Sequence, residues 1–263
     1  MIKKLKLGNK EFANRMLIGT SGYPSFSILE EAIIKSGAEI ITVSLRRQVQ
    51  SSKSTNDFFD LLKRLSVAIL PNTANCRSVL EVVTTAKMAR EIFKTNWIKL
   101  ETIGNEYTLY PDVCLLLEAA KILCDEGFEV FPYTTDDPVI AEKLINAGCK
   151  IIMPLASPIG SGMGLINKYN LSNLVKQFPE TTFIIDAGIG SPSQAMEAME
   201  MGFDAILLNT SISQAIDPIS MALAFSMAIN GGFIAKEAGL MEKRDFGVNS
   251  TPKIGMPFWH LNQ

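Results

Sequence analysis

The chain has 263 residues, of which 47% are hydrophobic and 20% charged, with a formal net charge of −2 at pH 7. That balance supplies neither the basic field that holds nucleic acid nor a polybasic membrane patch, and the length suits one α/β barrel, which runs to about 250 residues. Four cysteines at wide spacing form no C-x-x-C pair, and a single histidine, His260, leaves no base for a Ser-His-Asp triad and no histidine metal site, so neither a metal nor a cofactor is expected.

The first residues, MIKKLKLGNKEF, lack the apolar core of a signal peptide. No run approaches the roughly 18 apolar residues of a transmembrane helix, and a cytoplasmic chain is expected. Along the chain, short apolar runs that suit strands buried on both faces fall at Leu17–Thr20, Ile40–Val43, Ala68–Leu70, Trp97–Glu101, Glu129–Tyr133, Ile151–Met153, Phe183–Asp186 and Ala205–Leu208. Helical periodicity lies between most of them, over Ser25–Ser36, Asn75–Phe93, Pro111–Glu126, Asp137–Ala147, Ser191–Met201 and Asp217–Gly239. The polar stretch Gln48–Asn56 predicts a mobile loop before a short helix at Asp57–Ser66, and the segment from about residue 250 predicts an irregular tail. An amphipathic helix, a glycine, two residues and an apolar run recur at Gly37, Gly127, Gly148 and Gly202, glycine being the residue that ends a helix in the left-handed conformation.

Eight strands and no Pro/Gly/Ser-rich linker argue for a single domain over 1–263, a closed (β/α)8 TIM barrel. A doubly wound open sheet is the alternative, but it wants G-x-G-x-x-G after its first strand, and Gly19-Thr20-Ser21-Gly22 does not fit that spacing.

Barrel enzymes place chemistry at the C-terminal ends of strands, so polar residues ending apolar runs carry the information. In Asn96-Trp97-Ile98-Lys99-Leu100-Glu101, alternation puts Lys99 and Glu101 on one face. Two opposite charges inside a barrel are expensive unless they pair or react. Desolvation can lower a lysine's pKa and give a neutral amine that attacks carbonyls, with Glu101 moving protons; a solvated strand-end ion pair is the bland alternative. The strand ending at Asp186 runs into Ala187-Gly188-Ile189-Gly190 and a helix start, and the strand before Asn209 and Thr210 runs into a polar loop. Counted as the seventh and eighth strands, they have the order in which barrels often hold a substrate phosphate, here through backbone N–H groups and hydroxyls. The Gly160–Gly164 loop is a weaker signal, and Asp136-Asp137-Pro138 reads as a helix cap with proline in the first turn.

Together these residues resemble thiazole synthase of bacterial thiamine biosynthesis. The resemblance runs from about Met16 to Pro252 through LIGTSGYPSF, SGAEIITVSLRR, LPNTANCR, TNWIKLE, MPLASPIGSGMG, IIDAGIGSPSQA and GFDAILLNTSI. It implies condensation of 1-deoxy-D-xylulose 5-phosphate, dehydroglycine (2-iminoacetate) and sulfur into the thiazole phosphate carboxylate. The sulfur would arrive as a C-terminal thiocarboxylate on a ubiquitin-like sulfur-carrier protein, and a separate enzyme would produce the dehydroglycine. The resemblance also implies a Schiff base at Lys99, acid–base roles for Glu101 and Asp186, and sugar-phosphate contacts from Gly160, Ala187, Gly188, Asn209 and Thr210. A homotetramer is implied as well. The chain departs from the family in PYTTDDP and PLASPIG, which touches fine contacts only. Without the resemblance, a class I aldolase-like Schiff-base barrel acting on a phosphosugar stays open, as does a barrel that only binds.

Overall fold

The computed structural model describes residues 3–45 and 52–248. The expected irregular tail, His260 and the first part of the expected Gln48–Asn56 loop lie outside the described residues. A short antiparallel hairpin, β1 (Leu5–Leu7) and β2 (Lys10–Phe12), opens the chain. Eight parallel strands then close into a barrel in sequence order: β3 (Met16–Gly19), β4 (Ile40–Ser44), β5 (Ala68–Asn72), β6 (Trp97–Leu100), β7 (Glu129–Thr134), β8 (Ile151–Pro154), β9 (Thr182–Asp186) and β10 (Ala205–Leu208). β10 pairs with β3 to complete the ring. The helices are α1 (Phe26–Ser36), α2 (Ser52–Leu65), α3 (Val79–Phe93), α4 (Val113–Asp125), α5 (Pro138–Asn146), α6 (Lys168–Gln177), α7 (Pro192–Met201), α8 (Thr210–Ser213) and α9 (Pro218–Ala238). This is the (β/α)8 architecture expected from the repeated helix–Gly–strand unit.

Helix ends follow local chemistry. Ser25, Ser78, Asp112 and Asp137 cap α1, α3, α4 and α5 through side-chain oxygens that accept first-turn N–H groups. Gly37 and Gly202 close α1 and α7 with φ of 67° and 113°, a region that penalises a Cβ. Helix α2 starts at Ser52, five residues before the expected Asp57, so the polar SKSTN stretch is helical rather than loop. Its polarity hid it, because no apolar period marks its first turns.

Side chains sort into two cores. One lies between barrel and helices; it takes Ile98 and Leu100 of β6. The other fills the barrel, taking Leu17, Ile40, Leu70, Trp97, Phe131 and Ile184 from alternate strand positions. The hairpin plugs the lower end of that inner core: Leu5, Leu7 and Phe12 join it, with the Phe12 and Trp97 rings 5.8 Å apart and Trp97 and Phe131 5.3 Å apart. The N-terminal end is therefore closed by apolar packing, and polar groups gather at the other end.

Helix α9 spans 21 residues and contains an 18-residue stretch with a mean hydropathy of 1.5, long and apolar enough by composition to cross a membrane, a feature not expected from the sequence. In the fold it packs on α1 and α7, buries Phe225, Ile229 and Phe233, and places Gly232 where a Cβ would sit 2.6 Å from the Met196 carbonyl oxygen. Its apolarity is thus used within the barrel's helical layer.

Because Leu7 is fully buried in the plug, Leu7→Ala should cost about 3 kcal/mol of unfolding free energy, read from urea denaturation. A loss under about 1 kcal/mol would show that the hairpin is an ornament rather than part of the core.

Candidate active site

Lys99 reaches the barrel interior by register. Ser44 pairs with Asn72, Asn72 with Lys99, and Lys99 with Phe131, so these residues share the inward face of adjacent strands. The Lys99 side chain is only 8% exposed. Its Nζ lies 2.7 Å from Asp186 Oδ2 and 3.5 Å from Glu101 Oε2, and 5.6 Å from the centre of the Tyr133 ring. The sequence placed Lys99 and Glu101 on one face of β6; Asp186, at the end of β9, closes the triad from across the barrel.

The electrostatics differ from the simple expectation of a desolvated neutral amine. Burial pulls the Lys99 pKa down, but Asp186 and then Glu101 more than offset it and hold the amine above its ordinary value. Burial lifts Asp186 above the usual carboxylate range, with the Lys99 charge opposing that shift. The carboxylates thus favour the ammonium form of Lys99, while burial gives Asp186 more than ordinary affinity for a proton. Burial also pushes the Tyr133 hydroxyl far above its usual range, so it stays neutral, donating to the Leu109 carbonyl at 3.2 Å.

Glu101 is held by a residue the sequence reading passed over. Thr73 is fully buried, and its Oγ1 accepts the Glu101 N–H at 2.8 Å while donating to the Glu101 carbonyl at 3.0 Å. A side chain thus takes the place of ladder hydrogen bonds just past the end of β6, fixing the backbone of a residue beside the amine. Nothing in the residue type alone marks Thr73 out.

The loop after β9 carries unusual backbone. Ala187 and Gly188 both have positive φ, 78° and 81°. A side chain on Gly188 would collide with Ser157 of the β8 loop, whose Oγ donates to the Gly188 carbonyl. A Cβ on Gly190 would come within 2.5 Å of the Gly162 carbonyl oxygen, so the two loops touch backbone to backbone. The N–H groups leading into α7, in the turn expected to help hold an anion, are already used: those of Gly190 and of the cap residue Ser191 both donate to Gln194 Oε1. The N–H groups of Gly160 and Gly188, both at the cavity, meet no acceptor among the described residues. On β10's loop, Asn209 Nδ2 donates to Ser21 Oγ at 3.0 Å, and its side chain lies over Gly19, where a Cβ would meet it at 2.6 Å.

All eight residues singled out from sequence (Lys99, Glu101, Gly160, Asp186, Ala187, Gly188, Asn209 and Thr210) border one cavity of about 590 Å³. Asp137 does not; it caps α5, as expected from the proline that follows it. Thr42, Ser44 and Asn72 also line the cavity and were not foreseen, although inward alternation from the ends of β4 and β5 could have pointed to them. Among the described residues no group of three His, Cys, Asp or Glu side chains is placed to hold a metal ion. Chemically, the arrangement offers a primary amine, two carboxylates able to exchange its proton, and an uncharged, amide-lined cradle.

Asp186→Asn removes the amine's nearer counter-ion and leaves a buried ammonium beside Glu101 alone, a loss of about 3 kcal/mol at pH 7. With that partner gone, burial, the largest influence on Lys99, is expected to outweigh Glu101 and bring the amine's pKa below its unfolded value. The unfolded chain then binds more protons, so the variant's deficit against the parent should shrink as pH rises from 7 to 9.5 in urea titrations. A deficit that grows over that range would contradict this account of the triad.

Comparison with known proteins agrees with the site. The family model described as "Thiazole biosynthesis protein ThiG" matches residues 6–252. Thiazole synthase of Rhodopseudomonas palustris (strain BisA53) is 56% identical over 256 residues, covering 97% of this chain and 98% of the relative. That of Bradyrhizobium sp. (strain BTAi1 / ATCC BAA-1182) is 55% identical over 252 residues, covering 96% and 97%. Among solved structures, the Amycolatopsis orientalis BexX/CysO complex contains a chain that superposes with a TM-score of 0.81 at 29% identity, covering 92% of this chain and 98% of that one. A barrel described as native KDPGal, at 13% identity and a TM-score of 0.60, shares the fold alone. With a matching family model across nearly its whole length, the chain belongs to the thiazole synthase family, the enzymes that make the thiazole of thiamine.

Proposed function

We propose that this enzyme condenses 1-deoxy-D-xylulose 5-phosphate, dehydroglycine and carrier-borne sulfur into the thiazole phosphate carboxylate, through a Schiff base on Lys99. The observation that carries this reading is the buried amine held 2.7 Å from Asp186 and 3.5 Å from Glu101, facing a cradle with unused backbone N–H groups. The phosphate would lie against Gly160, Ala187, Gly188, Asn209 and Thr210, bringing the ketone to Nζ. Asp186 takes a proton from the ammonium, and the freed lone pair adds to the C2 carbonyl. Protonation of the resulting hydroxyl by a neighbouring carboxyl expels water and leaves an iminium. The iminium acidifies the C3 hydrogen; a carboxylate removes it, and reprotonation leaves the amine on C2 and the carbonyl on C3. The thiocarboxylate sulfur then adds to the C3 carbonyl; the carrier's acyl group shifts from sulfur to the resulting C3 oxygen, and the carrier leaves with that oxygen as a carboxylate, so that C3 carries the sulfur in place of oxygen. The nitrogen of dehydroglycine replaces Lys99 at C2 as the ring closes.

CysO bound to BexX supports a protein as the sulfur donor here too, a small carrier whose tail would enter the cavity mouth. The exposed apolar residues Leu80, Met88 and Ile92 on α3, and Met227 and Ile234 on α9, support assembly of several copies, read here as a homotetramer.

Incubation with the deoxyxylulose phosphate and borohydride should place a reduced adduct on Lys99, located by mass spectrometry, and Lys99→Met should give neither adduct nor thiazole. Labelling at another lysine, or ring formation by the variant, would sink the covalent role. A second outcome concerns the phosphate cradle. Gly190→Ala wedges the β9 loop from the Gly162 carbonyl and should raise the KM for the phosphosugar about tenfold or more, with the borohydride adduct still confined to Lys99. An unchanged KM would place the phosphate elsewhere.

A further inference from the structure

The cavity has two walls, with Lys99 between them. The loops after β8, β9 and β10 make one. The other is the upper end of β4 and β5, which presents Thr42, Ser44 and Asn72. No step of the mechanism so far uses this second wall.

Its chemistry is distinctive. Ser44, Asn72 and Lys99 are successive register partners on three neighbouring strands, so their side chains stand side by side on the inner face. Asn72 Oδ1 accepts the Ala74 N–H at 3.3 Å, which sets the amide and leaves Nδ2 as the group free to donate. Ser44 Oγ is buried with no hydrogen-bond partner among the described residues, a state that costs free energy until something accepts from it. Thr42 is buried one pleat below Ser44, on the same face of β4. This wall supplies hydroxyls and an amide, whereas the cavity's carboxylates stand on the β6 and β9 sides, at Glu101 and Asp186. An anion that must approach Lys99 without meeting those carboxylates finds its donors on β4 and β5.

The product's shape requires such an anion on that side. In a five-membered thiazole ring, the carboxylate-bearing carbon lies between nitrogen and sulfur, on the edge opposite the bond whose carbons carry the methyl and phosphate arms. With the phosphate held by the β8–β10 loops and C2 at Nζ, the carboxylate points to the far wall.

We propose that Thr42, Ser44 and Asn72 form the subsite for the carboxylate of the glycine-derived imine. This rests on the thiazole-forming reading above and adds to it the position of the second substrate. Neutral donors suit the task. A cation there would bind the carboxylate and also compete with Lys99 for Asp186 and Glu101.

The test uses glyoxylate with ammonium, which condense to the imine with loss of water. Thr42→Val keeps shape and removes a hydroxyl; Asn72→Ser removes Nδ2 and retains an oxygen. Each should raise the KM for glyoxylate, at saturating ammonium, about tenfold or more, the effect of losing one hydrogen bond to a charged group. The KM for the phosphosugar and the yield of its borohydride adduct on Lys99 should stay within about twofold. An intact adduct with an unchanged glyoxylate KM in both variants would overturn the subsite alone. A rise confined to the phosphosugar KM would overturn it too, assigning the wall to the sugar's hydroxyls. Absence of the adduct in the parent enzyme would sink the Lys99 reading, and the subsite with it.

Discussion

One ammonium and two carboxylates, shut inside a barrel plugged at its lower end, set the terms for everything else in this molecule. Removing such charges from water is costly, and the cost is tolerable only when each has a partner in place. The strand register meets that demand by bringing Lys99 of β6 to Asp186 of β9 across the ring, with Glu101 beside the amine. The apolar plug of Leu5, Leu7, Phe12 and Trp97 keeps the lower barrel dry and so keeps the three charges strongly coupled. Thr73 holds the Glu101 backbone, and the Tyr133 ring lies near the ammonium.

The second requirement is close approach of neighbouring atoms to glycine backbone. Gly188 against Ser157, Gly190 against Gly162 and Gly19 beneath Asn209 leave no room for a Cβ. The first two contacts press the β8 and β9 loops together, and the third seats Asn209, just past β10, on the end of β3. Gln194 consumes the N–H groups of Gly190 and Ser191, which shifts the available donors inward, toward Gly188 and Gly160. The phosphate site proposed above would therefore rest on loop packing more than on the dipole of α7.

Much of this was legible in the chain itself. The rhythm of helix, glycine and apolar run marked four barrel strands, and apolar runs filling the gaps placed the other four, all to within about two residues, because buried parallel strands leave a plain apolar signature. Lys99, Asp186 and Asn209 stood out because each interrupts or ends such a run with a polar group. Three things were not legible. The β1–β2 hairpin alternates Leu5, Leu7 and Phe12 with charged residues, yet its three-residue strands are too short to read, and only the barrel's open end gives it something to cover. Helix α6 buries just Leu171 and Leu174, too little to set a period. The partnership of Lys99 with Asp186 spans 87 positions of sequence and exists only because the barrel closes, so the sign of the lysine's pKa shift could not be read from β6 alone.

That sign has a consequence for how the site works. An amine whose pKa is held above normal is a poor nucleophile while its counter-ion is ionised, yet the counter-ion is a carboxylate that burial has made unusually ready to take a proton. The pair behaves as a unit that holds one proton, and moving it across 2.7 Å converts ammonium and carboxylate into amine and acid with no net change of charge in the cavity. Under the Schiff-base mechanism proposed above, a neutral carbonyl entering the site would displace solvent and weaken the charged form of the pair relative to the neutral one. Substrate arrival would then favour the nucleophilic state, with the amine held as an ammonium until a carbonyl is present to receive it.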